Sequence, residues 1–291
     1  MESSTRLFPT QVCFVVDDVP AAAAECTRCF GWGPFHQFTV RVPEARYRDW
    51  TGLRHNDVAL GMAGKVQVEL VHVHEGREPI EEYQARYGAG FQHLGIACRS
   101  LDATLGRLED LGAVLAESNE HEGIRIAFVD VPTGPAMFEL LQFPPRGEGD
   151  PGIQASAMPS QGEVFALDRA TIVTADIQST LAFYAAAFGW EAARPKIQTL
   201  GYGSATNAFQ RYVGRAGNLE LELLEPQEGA DDPYSQHLAR GDHGLVHAGG
   251  SLCGDVLPGA SVECEWLEIG AAFALHDWVG GPRSLQVRHP S

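Results

Sequence analysis

The sequence predicts an α+β protein made of four βαβββ modules paired into two halves. Three observations carry this reading. First, residues 144–163 (PPRGEGDPGIQASAMPSQGE) are dominated by Pro, Gly, Ser and acidic side chains and lose all hydrophobic periodicity, which is linker composition. They divide the 291 residues into domains at 1–145 and 164–291, with a linker at 146–163, in keeping with ordinary domain sizes. Second, the two halves echo each other. Asp18 and Phe30-Gly31-Trp32 return 158 positions later as Asp176 and Phe188-Gly189-Trp190. VELVHVHEG (68–76) returns 153 positions later as LELLEPQEG (221–229), and GFQHLG (90–95) returns 154 later as GLVHAG (244–249). Falling offsets mean short deletions in the second half, and a repeat this long reflects duplicated structure. Third, each half is itself doubled.

The elements follow in order. Residues 11–16 form a short apolar run with strand character. Asp18 and Pro20 supply an N-cap and a first-turn proline, a helix runs to Phe30, and Gly31 ends it. Strand-like runs follow near 35–43, 57–62 and 66–73. A short helical piece, EPIEEYQARYG, precedes a restart of the cycle at 92–98. Ser100 caps the helix LDATLGRLEDLG, and strands near 124–130 and 136–143 close the half. The fourth unit departs from the pattern. SLCGDVLPGASV stands where its helix belongs, and Gly254, Pro258 and Gly259 oppose a full helix there.

Composition narrows the function. The 21 basic and 38 acidic residues leave a net charge of −17, and lysine occurs only at Lys65 and Lys196. A polyanion-binding face needs clustered Lys and Arg, so neither nucleic acid nor an anionic membrane is an expected partner. No apolar run approaches the roughly 20 residues that span a bilayer. MESSTRLFPT has no signal-peptide core, so the expected location is cytoplasmic. The six cysteines, including the Cys26-x-x-Cys29 pair in a helical stretch, read as buried or incidental thiols in a reducing compartment. Asp231 and Asp232 read as a solvated loop.

Strand periodicity then picks out four side chains. Gln11, Cys13 and Val15 share one face of the first strand, and His93, Gly95 and Ala97 share one face of the fifth. In each case the face is small and begins with a polar group, leaving room for a ligand. VQVELV and AMFELLQF each carry one carboxylate among apolar neighbours, Glu69 and Glu139. A lone buried carboxylate is costly without a partner, and two of them invite a shared cation. His72 and His74 fall on the strand face opposite Glu69 and are not expected to join it.

With QVCFVVDD, VQVELV, FQHLGIACRSL and AMFELLQF in register, the chain resembles the vicinal oxygen chelate superfamily. That group includes glyoxalase I, methylmalonyl-CoA epimerase, extradiol dioxygenases and bleomycin-resistance proteins. The resemblance spans nearly the whole chain and weakens after residue 250. It implies paired modules forming two glyoxalase-like domains, with mixed sheets curled around a metal. It also implies a ligand set of Gln11, Glu69, His93 and Glu139, in the order seen in glyoxalase I. In the second half the corresponding positions are Arg169, Glu222, His247 and Gln286. Arginine cannot ligate a metal, so that half is expected to lack one, with Arg169 pairing with Glu222 in place of the cation.

Three oxygen donors and one imidazole suit one divalent Zn, Ni, Co or Mn ion and exclude thiolate-preferring metals. The expected function is a metal-dependent lyase or isomerase of the glyoxalase or epimerase type. It would move a proton next to the carbonyl of a small-molecule substrate, with Glu139 the first choice of base and Glu69 the second. One alternative is an extradiol dioxygenase, whose two-His-one-carboxylate iron site the first half does not reproduce. The other is a metal-free small-molecule binding or resistance protein. Four modules in one chain allow a monomer or a homodimer.

Overall fold

The computed structural model describes residues 7–121, 123–132, 134–144, 165–190, 196–202, 205–227, 233–239, 244–252, 271–275 and 283–288. The expected linker at 146–163, the helix-poor stretch 253–262, Asp231 and Asp232 lie outside them. The chain is a strand-rich α+β structure with a curled mixed sheet of eight strands and a second mixed sheet of seven among the described residues.

The first half runs β1 (Pro9–Val15), α1 (Val19–Phe30), β2 (His36–Tyr47), β3 (Trp50–Ala63), β4 (Val66–Glu75) and α2 (Pro79–Tyr87). It continues through β5 (Gly90–Ala97), α3 (Leu101–Asp110), β6 (Val114–His121), β7 (Ile124–Val131) and β8 (Gly134–Gln142). The second half runs β9 (Phe165–Val173), α4 (Ile177–Phe188), β10 (Lys196–Tyr202), β11 (Ala205–Ala216) and β12 (Leu219–Pro226). After it come α5 (Pro233–Ala239), β13 (Gly244–Leu252), β14 (Ala271–Leu275) and β15 (Arg283–Arg288).

The helix ends are set as the sequence dictates. Asp18 Oδ1 accepts the Ala21 amide at 2.8 Å, and Gly31 closes α1 in the left-handed conformation that its missing Cβ permits. Asp176 caps α4 through the Gln178 and Ser179 amides, and Ser100 caps α3 through Ala103. β3 begins at Trp50, well before the apolar run that marks it in the sequence. β6, which lacks a clear strand pattern, is an edge strand with β7 as its partner, and it leaves Val114 and Leu115 exposed. An edge strand needs no alternating apolar face, so the period-two signal is weak there.

The first sheet has the order β2-β3-β4-β1-β5-β8-β7-β6 and the second β10-β11-β12-β9-β13-β15-β14. In each, the module's first strand lies parallel to its last, and the two first strands meet antiparallel at the centre. The first sheet curls until its edge strands β2 and β6 come into contact. Its outer face carries Val12, Phe14, Leu70, Leu94 and Ile96, packed in one hydrophobic core with α1, α3 and residues of the second half. Phe138 of β8 meets the rings of Phe183, Tyr184 and Phe188 on α4 at 5.8–6.3 Å. The inner face holds a separate cluster of Cys13, Val15, Val58, Val71, Val73, Ile80 and Phe128. Among the described residues no helix is long and apolar enough to cross a membrane.

Candidate metal centre

The four central strands of the first sheet, β4-β1-β5-β8, bring the four expected ligands together on the inner face. Two adjacent rows of the ladder carry them. One row reads Glu69, Cys13, His93, Met137 across the strands, and the next reads Gln67, Gln11, Gly95, Glu139. His93 is fully buried, with Nε2 3.4 Å from Glu69 Oε2 and 3.3 Å from Glu139 Oε2. Gln11 Nε2 donates to Gln67 Oε1 at 3.0 Å, which leaves Gln11 Oε1 without a partner. Glu69 Oε2 and His93 Nε2 are buried without hydrogen-bond partners as well.

Three unpartnered lone-pair atoms and a second buried carboxylate around one imidazole are costly as they stand. A divalent ion satisfies them together, so the residues present fit the group that the donor set implies. Gln11, Glu69, His93 and Glu139 are the residues that could hold it.

The local chain explains how His93 is aimed. Cys13 pairs with His93 and Phe14 with Phe91, so Gln92 is left over as a β-bulge. The bulge lets the buried Gln92 side chain accept a hydrogen bond from His93 Nδ1. That bond leaves the Nε2 lone pair facing the carboxylates, the arrangement a metal-ligating histidine requires. The Phe128 ring packs edge-on to the imidazole at 5.4 Å and 81°. Burial alone would lower the proton affinity of His93, but Cys13 and Glu139 beside it raise it on balance. Burial also lifts the Glu139 carboxyl above its usual range, against the opposing pull of His93.

Two residues of this centre were not expected as participants. Cys13 lies between Glu69 and His93, with its sulfur within 4.8 Å of their ligand atoms. Its place on the Gln11 face was the available signal. Burial pushes its thiol well up, so it stands there as a neutral SH group, and the oxygen-and-imidazole description of the site gains a sulfur neighbour. Gln92 is the other. Its period-two position points away from the site, and only the bulge brings it back.

In the same interior, Arg54 of β3 lies between Glu78 and Glu117. Asn56 donates to Glu78 Oε1 at 2.6 Å, and Asn119 to Glu117 Oε1 at 2.9 Å. Glu78 occupies the N-cap position of α2 without capping it.

The second sheet repeats the register with other residues. Glu222, Thr171, His247 and Ser284 form one row, and Glu220, Arg169, Gly249 and Gln286 the next. The expected Arg169–Glu222 pair is corrected. Arg169 pairs with Glu220, which lies directly across the ladder, while Glu222 is bound by Arg211 and by Thr171 Oγ1 at 2.7 Å. Register decides this, because Arg169 and Glu222 sit in neighbouring rows. Arg211 and Arg169 outweigh the burial penalty and hold Glu222 below the usual carboxylate range. The side chains of His247 and Gln286 lie outside the described residues.

Gly95 makes the Gln11 position possible. A Cβ there would stand 2.2 Å from Gln11 Oε1 and 2.7 Å from its Cβ. Gly95→Ala is therefore expected to push Gln11 out of the centre and weaken divalent-ion binding about tenfold or more, with the fold retained. Isothermal titration checks this, and unchanged affinity would remove Gln11 from the ligand set.

Residues 10–128 match the sequence model of the glyoxalase/bleomycin resistance protein/dioxygenase superfamily. No curated protein matches the chain significantly. Among solved structures, the fold is similar to a variant of 4-hydroxymandelate synthase from Streptomyces coelicolor, with a TM-score of 0.60 and 18% identity over 85% of this chain and 71% of that one. It is also similar to a hypothetical protein from Staphylococcus aureus, with a TM-score of 0.52 and 7% identity over 96% of this chain and 98% of that one. At these identities the likeness is one of fold.

Proposed function

From the premise that residues 10–128 belong to the glyoxalase/bleomycin resistance protein/dioxygenase superfamily, we propose that the chain is a metal-dependent lyase or isomerase that moves a proton next to the carbonyl of a small molecule. The observation that carries the reading is the convergence of Glu69 and Glu139 on His93 Nε2, at 3.4 and 3.3 Å, inside the first sheet. Gln11, Glu69, His93 and Glu139 hold one divalent Zn, Ni, Co or Mn ion. When bound, the ion supplies Lewis-acid polarisation to a substrate oxygen.

The rest is done by the chain. Gln92 fixes the His93 ring, and Gln67 fixes the Gln11 amide. Val71, Val73, Ile80 and Phe128 line part of the inner face with apolar surface beside the ligands. A Glu139 carboxylate oxygen takes the proton from the carbon beside the carbonyl and returns it to the substrate, and Glu69 is the second choice for this role. All four ligands come from one chain, so the site is complete in a monomer.

The test uses chelator-washed protein reloaded with Zn, Ni, Co or Mn, in deuterated buffer. The probes are thiohemiacetals of 2-oxoaldehydes and 2-methyl-branched acyl thioesters. Expected is one ion per chain that is lost in Glu139→Gln, with solvent deuterium entering the substrate C–H position and no uptake in enzyme-free controls. In Glu139→Gln the exchange falls by about 10²- to 10⁴-fold. Dioxygen consumption with bound iron and a catechol would replace this reading with ring-cleaving oxygenase chemistry. Tight small-molecule binding without any metal would replace it with a sequestering protein.

A further inference from the structure

The outer side of β3 and β4 carries a second cluster of metal-ligating side chains, separate from the His93 centre. His55 and Asp57 sit two residues apart on β3, so they share a face. Asp57 pairs across the ladder with His72 of β4. His55 pairs with Glu75 and Asn56 with Val73, so His74 is left over as a β-bulge between them. Such a bulge re-aims its side chain. Here it brings the ligand atoms of His55, Asp57 and His74 within 4.8 Å of one another.

Several details order the cluster. Thr39 Oγ1 donates to Asp57 Oδ1 at 2.7 Å, which turns Oδ2 toward His74 Nε2 at 2.8 Å. The His74 ring lies 4.8 Å from that of His55 and 4.7 Å from that of His72. His72 Nδ1 bonds to the Val16 carbonyl at 2.9 Å, which fixes its ring beside the group. Both Asp57 and His74 are over a third exposed, so an ion can enter from solvent. The donors come from two strands already hydrogen-bonded together, so little ordering is left to do on binding.

We propose that His55, Asp57 and His74 form a second divalent transition-metal site on the outer face of the first sheet, with His72 as its flanking imidazole. Two imidazoles and one carboxylate are the donor set of zinc and its late first-row neighbours, with room for water to complete the coordination. The bound ion cross-links β3 to β4 at the strand end that leads through Gly76 to Glu78. Nothing in this inference depends on the inner centre or on its chemistry.

Zinc titration of the full, chelator-washed chain tests it, read by calorimetry and by elemental analysis after dialysis. Wild type is expected to bind two ions. His74→Ala and His55→Ala, both accessible positions, each weaken one of them by about tenfold or more and leave the circular dichroism spectrum unchanged. The Glu139→Gln variant weakens the other ion and spares this one. If wild type binds a single ion that depends on His74 and not on Glu139, the outer site stands and the inner metal reading fails. If zinc stoichiometry and affinity are the same in His55→Ala and His74→Ala as in wild type, the outer cluster is an ordinary His–Asp surface pair and the proposal is overturned.

Discussion

Alanine at position 93 is expected to abolish ion binding at the inner centre, at a loss of more than about 100-fold in affinity, and to remove turnover with it. Loss of an outer-sphere partner alone costs a metal site about 10- to 100-fold, and His93 is the ligand itself. Two carboxylates face its Nε2, and no other imidazole lies on those two rows within the four central strands β4-β1-β5-β8. The variant should also answer differently to metal in unfolding experiments. A ligand present at 100 times its dissociation constant stabilises the native state by about 2.7 kcal/mol. The His74→Ala variant, whose outer cluster is silenced, is expected to gain that increment when zinc or nickel is added at such excess. The His93→Ala, His74→Ala double variant should gain none. Gln92→Leu falls between the two, because the ring remains but loses the bond that orients it. Wild-type affinity in His93→Ala would sink both the ligand set and the reaction built on it.

Much of this centre was legible in the sequence. Alternation of period two gave the faces of Gln11 and His93, Glu69 and Glu139 stood out as lone carboxylates in apolar strands, and the family resemblance joined the four; the ladder puts them on two adjacent rows. That step works because register in a half-buried sheet is tightly specified: a one-residue slip would turn every one of them to the other face. What periodicity cannot foresee is a bulge. Gln92 and His74 each sit in one, and each acquires its partners only through the extra residue. Edge strands are hidden for a related reason. β6 is polar because a single neighbouring strand suffices for it, and its Glu117 turns inward without any apolar alternation to announce it.

Pairings between distant residues were the other blind spot. Arg54 and Glu117 are 63 positions apart and come together because the curled sheet brings the two modules face to face. Glu78 reads as the polar start of a helix, yet it spends its carboxylate on Arg54 and Asn56. The Arg169 expectation erred by one row of the ladder, since the pattern gave the face of the strand but not which acidic neighbour lay directly across.

Arg54→Met is expected to destabilise the protein by about 3–5 kcal/mol, the usual consequence of removing one partner from a buried ionic group. Arg54, Glu78 and Glu117 are all nearly inaccessible, with side-chain exposures of 7%, 2% and 1%. Methionine fills most of the space, so the loss is electrostatic: two buried carboxylates keep their amide donors, Asn56 and Asn119, and lose their cation. Against a total stability of about 5–15 kcal/mol this is a large fraction. The pH dependence separates that cause from a packing defect. Burial pushes the Glu78 carboxyl up from 4.5 to about 7, with Arg54 and Asn56 pulling the other way. The folded state therefore holds that proton more tightly than the unfolded chain. Its contribution to stability is fully present below pH 4.5 and is lost as pH rises through about 7. Without Arg54 the proton is held more tightly still, so the loss should extend to higher pH and the deficit of Arg54→Met should be smallest in acid and grow toward alkaline pH. Denaturant unfolding of both proteins at several pH values measures this directly. A deficit that stays constant across pH would assign the effect to packing. A deficit below about 1 kcal/mol throughout would mean that the two carboxylates are well enough solvated in the native state to need no cation.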